Sequence, residues 1–275
     1  MSASDAISPT AHYTGYVWAR NGLSYPELST LEGRVLFESF RPLQMVSSAL
    51  GGASLERYLL ARHRAIDVLL ERAIEQHGIT QVIEVASGLS PRGLRFSSRY
   101  GDALSYIEAD LPAMAARKRA ALERIGTGGR PHRVADFDAL EEEGPTGIAA
   151  VAAELAPERG LAIITEGLLG YLPSHAVTAL WQRFARTLTG FATGRYISDL
   201  HIGGVQTAQV RLFRVLLSAF VRGRVHLHFH DRAQAVAALK SAGFEAAEVH
   251  RAADLAADVQ GPGSGLVHII EASIR

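Results

Sequence analysis

Residues 244–274 read FEAAEVHRAADLAADVQGPGSGLVHIIEASI, and this stretch decides between two kinds of α/β sheet. It holds two apolar runs of strand character, 244–250 and 266–274 (LVHIIEASI), separated only by residues 251–265. A parallel pair needs a right-handed crossover, normally through a helix. Here the connection is short and closes on GPGSG, whose glycines and proline stop a helix. The last two strands are therefore expected to be antiparallel. Upstream, apolar runs at 81–86 (QVIEVA), 104–109 (LSYIEA), 132–135, 161–165 (LAIIT) and 195–200 (RYISDL) alternate with amphipathic stretches. The helical stretches are 113–124, opened by Pro112 and ended at Gly126; 175–188, with Ser174 as candidate N-cap; 205–221; and 231–242, stopped by Gly243. Such alternation means an α/β sandwich with a mainly parallel sheet. No internal repeat or low-complexity tract occurs, and GTGG at 126–129 reads as a turn.

The first 78 residues differ. They carry few strand signals and two helical patterns, 33–50 and 55–76, the second with Leu59, Ile66, Leu69, Leu70 and Ala73 at helical spacing. The expected division is a helical cap over residues 1–78 and a core over 79–275, the two forming one structural unit. The cap is read both as a layer packed on the sheet and as a lid over the carboxyl ends of its strands.

Composition narrows the function. With 275 residues, one sizeable core is feasible. The absence of cysteine excludes disulfides, thiolate zinc sites and cysteine nucleophiles. Balanced charge, 28 basic against 28 acidic side chains, argues against a general nucleic-acid partner. Only Lys118 and Lys240 are lysines, leaving 26 arginines. That excess reads as codon bias, or for a few particular residues as anion recognition by guanidinium forks. Residues 1–9 lack the basic start and apolar core of a signal peptide, and no apolar run is long enough to span a bilayer. A cytoplasmic location without membrane contact is expected.

In open α/β sheets ligands bind beyond the carboxyl ends of the strands, where strand order reverses. After the first strand comes Glu84-Val85-Ala86-Ser87-Gly88-Leu89-Ser90-Pro91-Arg92-Gly93, in which Gly88 permits close backbone approach and small Ser87 leaves room. The spacing is not GxGxxG, because Ala86 stands two before Gly88, and not G-x-S-x-G, because Arg92 stands at its last position. After the second strand, Asp110, followed by Leu111, can accept from both hydroxyls of a ribose; its alternative role is to cap the helix at Ala113. After the third, Asp136 offers an acceptor to an adenine amino group and Phe137 a face for its ring. After the fourth, Glu166 stands where a cationic ligand amine would satisfy it, since an unpaired buried carboxylate is costly.

EVASGLSPRG (84–93), YIEADLPAMAARK (106–118) and ITEGLLGYLP (164–173), in this order and spacing, resemble the leucine carboxyl methyltransferase family. TAHYTGYVWAR (10–20) and ARHRAID (61–67) match as well, so the resemblance spans roughly residues 10–275. More narrowly it resembles the bacterial tetracenomycin-type polyketide O-methyltransferase branch. The resemblance implies a class I fold: a seven-stranded, mostly parallel, Rossmann-like methyltransferase sheet with an antiparallel last strand and an N-terminal helical cap. It implies S-adenosyl-L-methionine (SAM) as cofactor and S-adenosyl-L-homocysteine (SAH) as product. It further implies that Arg62, or failing that Arg64, pairs with the methionyl carboxylate. Gly88 then lies in the glycine-rich turn, here ASG rather than the common GCG-type sequence. Asp110 becomes the ribose acid, Asp136 the acid near the adenine, and Glu166 the partner of the SAM amino group.

A sulfonium methyl is already activated, so an ionised carboxylate acceptor needs alignment more than a base. An enolic or phenolic hydroxyl would need one, and His12, His175 and His201 are candidates, His201 because it closes the fifth strand. Tyr13, Tyr16, Trp18 and Tyr171 are candidate walls for a small-molecule acceptor, with packing between cap and core as the competing reading. His226, His228 and His230 in HLHFH would share one face of a strand and could hold a metal. An exposed edge or a turn before the helix is favoured instead, and no metal site is expected. Glu141–Glu143 reads as a solvated loop. The expected activity is SAM-dependent O-methylation of a polyketide-like secondary metabolite. The rivals are a non-catalytic binding protein of the same fold and an NAD-dependent oxidoreductase, the latter disfavoured by the missing GxGxxG.

Overall fold

The computed structural model describes residues 9–49, 54–126, 132–203, 226–259, 261 and 266–275. The helix expected at 205–221, and most of the turns at 126–129 and 261–265, lie outside them. Three helices open the chain: α1 (Pro9–Arg20), α2 (Leu31–Ala49) and α3 (Leu55–His77). There follow β1 (Ile79–Val85), α4 (Arg92–Tyr100), β2 (Ser105–Asp110), α5 (Pro112–Ile125), β3 (His132–Asp136), α6 (Ile148–Ala152), β4 (Gly160–Thr165), α7 (Ser174–Thr189) and β5 (Gly194–Leu200). The chain ends with α8 (Arg232–Ser241), β6 (Ala246–Arg251), the helical turn Ala252–Leu255 and β7 (His268–Ile274).

All seven strands form one sheet in the order β3-β2-β1-β4-β5-β7-β6. The β1, β2, β3, β4 and β5 pairings are parallel, and β7 runs antiparallel to both β5 and β6. The reversed strand is thus the last in sequence and the second from the edge in space, as the short connection after β6 requires. Strand order reverses between β1 and β4, which fixes where a ligand crevice opens.

Alternation along the strands separates two cores. Val82, Tyr106, Ala162, Ile164, Ile197 and Ile269 face the first, which α1, α3 and α4 cover. Ile83, Ile107, Ile163, Tyr196 and Ile270 face the second, under α6, α7 and α8. Helix α3 crosses the sheet with Leu59, Ile66, Leu69, Leu70 and Ala73 fully or nearly buried. Ser54 caps its start by accepting from Arg57 N–H, and Gly78, in the left-handed region, ends it.

Some local expectations need correction. The cap holds three α-helices rather than two: α1 is built of aromatic, β-branched and glycine residues with poor helix propensity. It forms because His12, Tyr13, Val17 and Trp18 are buried in the cap, so tertiary packing overrides propensity. Helix α4 is nine residues long and starts with Arg-Gly, which hides its period. Ser174 is not the N-cap of α7; Pro173 is, and Ser174 lies inside the first turn with Oγ against His228 Nδ1. Glu141 is half-buried rather than solvated, its carboxylate held by the Thr146 hydroxyl and N–H. No described helix is long and apolar enough to cross a membrane.

Candidate functional site

The β1–β2–β3 half of the strand-end crevice is built by turns. The chain leaves β1 with Ala86 at φ 53° and Gly88 at φ 53°, both left-handed. For Gly88 this costs little; for Ala86 it is strained, so the ASG sequence carries a penalty that a glycine would relieve. Ser87 N–H donates to Ala109 O at 3.3 Å, and its buried Oγ has no hydrogen-bond partner among the described residues. Asp110 ends β2 and accepts from Gly88 N–H at 2.6 Å on Oδ2 and from Leu111 N–H at 2.8 Å on Oδ1. Each carboxylate oxygen keeps a free lone pair. Burial raises the pKa of Asp110, and the two backbone N–H groups and Lys118 offset this without cancelling it. Asp136 ends β3, is half-buried, and pairs with Arg119 at 2.5 Å. Phe137 is buried, with its N–H on Asp110 O.

Beneath this half sits a group that sequence reading missed. Lys118, fully buried, donates to Glu108 Oε1 at 2.6 Å and to Ser90 O at 2.8 Å, and so holds the 87–91 turn from below. His132 Nε2 lies 2.9 Å from the other Glu108 oxygen. Burial would raise the Glu108 pKa, but Lys118 and His132 outweigh it and leave the group lowered. A signal existed: Lys118 is one of only two lysines in a chain rich in arginine.

The β4–β5 half is built by the cap. Glu166, just after β4, accepts from Arg62 Nε at 3.0 Å and from Arg92 Nη2 at 2.7 Å, and lies 2.9 Å from His63 Nδ1. Burial would raise its pKa, yet His63, Arg92 and Arg62 together hold it well below the usual carboxylate range. Gly167, at φ 72°, donates its N–H to Asp199 Oδ1 at 2.7 Å, and a Cβ there would lie 3.1 Å from Arg62 Nη1. The absence of that Cβ lets Arg62 sit between Glu166 and Asp199, 3.5 Å from the latter. Arg92, wholly buried, also reaches Asp67 at 2.7 Å and Glu84 at 2.5 Å. His63, Asp67, Arg92 and Asp199 were not singled out from the sequence. Arg64, the fallback for Arg62, points elsewhere, half-exposed and paired with Asp258.

His201 follows β5, and its Nε2 lies 2.5 Å from Tyr58 Oη of α3. His12 Nδ1 meets Thr30 Oγ1 at 2.9 Å within the cap, and burial lowers its pKa. Tyr13 is fully buried against Phe37, and Trp18 packs over His63 with ring centroids 4.7 Å apart. Tyr16 packs against Phe37 with the rings tilted, centroids 5.3 Å apart. Tyr171 is exposed, its hydroxyl 2.7 Å from Thr10 Oγ1 of α1. His175 is exposed on α7. His226, His228 and His230 lie in the segment before α8 rather than on a strand, with His228 Nε2 2.9 Å from Leu169 O.

The fold defines the class first. A Thermobifida fusca protein provisionally named a methyltransferase has a solved structure covering 96% of this chain and 94% of its own, with TM-score 0.69 at 15% identity. The structure of PigF with SAH covers 77% of this chain and 55% of its own, with TM-score 0.53 at 17% identity. The sheet is therefore the Rossmann-like sheet of methyltransferases. Residues 33–185, more than half of the chain, match the model of the leucine carboxyl methyltransferase family, and the chain belongs to that family. A Mycolicibacterium gilvum protein, provisionally named an S-adenosyl-L-methionine-dependent methyltransferase, is 33% identical over 99 residues. The match spans 36% of this chain and 31% of that protein, about a third of the relative's length.

Proposed function

We propose that the chain is a SAM-dependent O-methyltransferase acting on a carboxylate, or an enolic or phenolic hydroxyl, of a small polyketide-like secondary metabolite. One observation carries the cofactor reading. At the switch point the left-handed Ala86–Gly88 turn presents a buried, unpartnered Ser87 Oγ next to a carboxylate, Asp110, with lone pairs to spare. Those are the groups an adenosine ribose would satisfy.

In this reading Ser87, Gly88, Asp110 and Leu111 hold the ribose side, and Asp136 and Phe137 the adenine. Arg62 and Glu166 meet the amino-acid end. These two already form a buried pair, so a zwitterion can exchange with it, carboxylate to Arg62 and ammonium to Glu166, without adding net charge. The cofactor, when bound, supplies a methyl group on a positively charged sulfur. The chain's own contribution is placement and exclusion of water: α1, α2 and α3 cap the crevice, with Tyr171 and Thr10 closing its rim through their hydroxyls.

Incubation with methyl-labelled SAM and a panel of polyketide carboxylates, enols and phenols tests the reading. Label should appear in an O-methyl product. SAH binding without turnover across the panel would favour a non-catalytic role, and no SAH binding at high micromolar ligand would overturn the cofactor assignment.

A further inference from the structure

Asp199 is the penultimate residue of β5 and is buried, and the cofactor reading gives it no part. Its Oδ1 accepts from Gly167 N–H at 2.7 Å, and its Oδ2 lies 3.5 Å from Arg62 Nη1. One carboxylate thus ties the turn after β4 to a guanidinium of the cap helix α3. Arg62 is buried, so its charge needs compensation. Burial would lower its pKa, but the carboxylates of Asp199 and Glu166 outweigh this and leave it raised.

The two carboxylates differ in what else they hold. Glu166 also meets Arg92 and His63, whereas Arg62 is the one cation in ion-pair contact with Asp199 among the described residues. Gly167 makes the arrangement possible. It sits at φ 72°, and a Cβ there would lie 3.1, 3.2 and 3.4 Å from Nη1, Nη2 and Cζ of Arg62. The guanidinium therefore lies against the Gly167 backbone, and the N–H of that same residue is the one Asp199 accepts.

We propose that Asp199 is a positioning residue that braces Arg62 against the Gly167 turn, so that the guanidinium stays in place for the carboxylate of the cofactor's amino-acid end while the cofactor's ammonium draws on Glu166. The proposal rests on the cofactor reading for the identity of the ligand, but the brace itself does not. Without Asp199, Glu166 is the carboxylate left to Arg62, and a ligand carboxylate has to compete with it for the guanidinium. With Asp199, Arg62 keeps one counter-charge throughout the exchange, and its orientation is set before the ligand arrives.

Calorimetric titration of two ligands separates bracing from a general structural role. SAH carries the amino-acid end, and 5′-methylthioadenosine has the same adenosine without it. Asp199→Asn keeps an oxygen for Gly167 N–H and removes the charge that faces Arg62. SAH binding should weaken about tenfold in this variant, the scale of one hydrogen bond to a charged group, with 5′-methylthioadenosine binding unchanged. Gly167→Ala, whose Cβ displaces the guanidinium and leaves Asp199 intact, should show the same selective loss. Equal loss for both ligands, or undiminished SAH binding, in either variant overturns the proposal; if Asp199→Asn shows no cooperative thermal transition, Gly167→Ala alone decides. The brace is also read without ligand, by nitrogen-15 NMR of the arginine-labelled full chain, with Arg62 assigned by its loss in Arg62→Lys. The wild type should show separate Nη1 and Nη2 resonances for Arg62, because rotation about the Nε–Cζ bond is held, and Asp199→Asn should show averaged ones. Averaged resonances in the wild type, or separate ones in the variant, overturn the brace. If neither ligand binds the wild type, the cofactor reading falls, while this spectrum still decides the role of Asp199.

Discussion

The two halves of the crevice solve the same electrostatic problem in opposite ways. Asp110, on the β1–β2–β3 side, is held by two backbone N–H groups from adjoining turns and keeps capacity for more donors. Glu166, on the β4–β5 side, already has two guanidiniums and an imidazole around it, all from residues more than 70 positions away. One carboxylate has acceptor capacity to spare, which the proposed ribose contact would use; the other joins the cap helix α3 to the core and would have to share. Ligand binding and fold stability should therefore separate between the two halves.

Arg92 gives the largest expected break in that contrast. Arg92→Met leaves Asp67, Glu84 and Glu166 short of a buried counter-charge, so unfolding free energy measured in urea should fall by about 3–5 kcal/mol. A loss below about 1 kcal/mol would mean that the network is not what fastens the cap. Glu166→Gln should cost about 1–3 kcal/mol in the same experiment, because an amide satisfies Arg62 and Arg92 less well. If stability were untouched while SAH affinity collapsed, Glu166 would belong with the ligand-seeking half.

Acid should distinguish the halves by sign. Glu166 and Asp67 have folded pKa values below their unfolded ones, so the stability they give is complete above the ordinary carboxylate range and lost as pH falls through the folded values. Asp110 is raised, so its burial penalty applies at neutral pH and disappears as acid protonates it. Carboxyl titration followed by carbon-13 NMR should find Asp110 protonating first, and the reverse order would break the comparison. The smallest effect concerns backbone strain: Ala86→Gly should stabilise the chain by about 0.5–1 kcal/mol by relieving a left-handed alanine, read as a raised thermal midpoint. A lowered midpoint would show that Ala86 is not strained.

The same contrast explains what could be read from the sequence. The strand-end residues Gly88, Asp110, Asp136 and Glu166 were legible because each follows its own apolar run, a local signal. So was the reversed β7, from the length and glycine content of the connection before it. Arg92, His63 and Asp199 were not, because nothing local marks a side chain whose partners come from other elements. Arg62 was reached only through a family resemblance. Helix α1 escaped for a related reason, since its aromatic and glycine residues become helical only when packed in the cap.

Calorimetric titration of SAH into the wild type and Asp110→Ala tests the central claim most directly. The account predicts saturable binding to the wild type, weakened by about 1–3 kcal/mol in Asp110→Ala, with the thermal midpoint of the variant close to that of the wild type. No binding to the wild type at high micromolar SAH, or equal affinity in the two proteins, would contradict it.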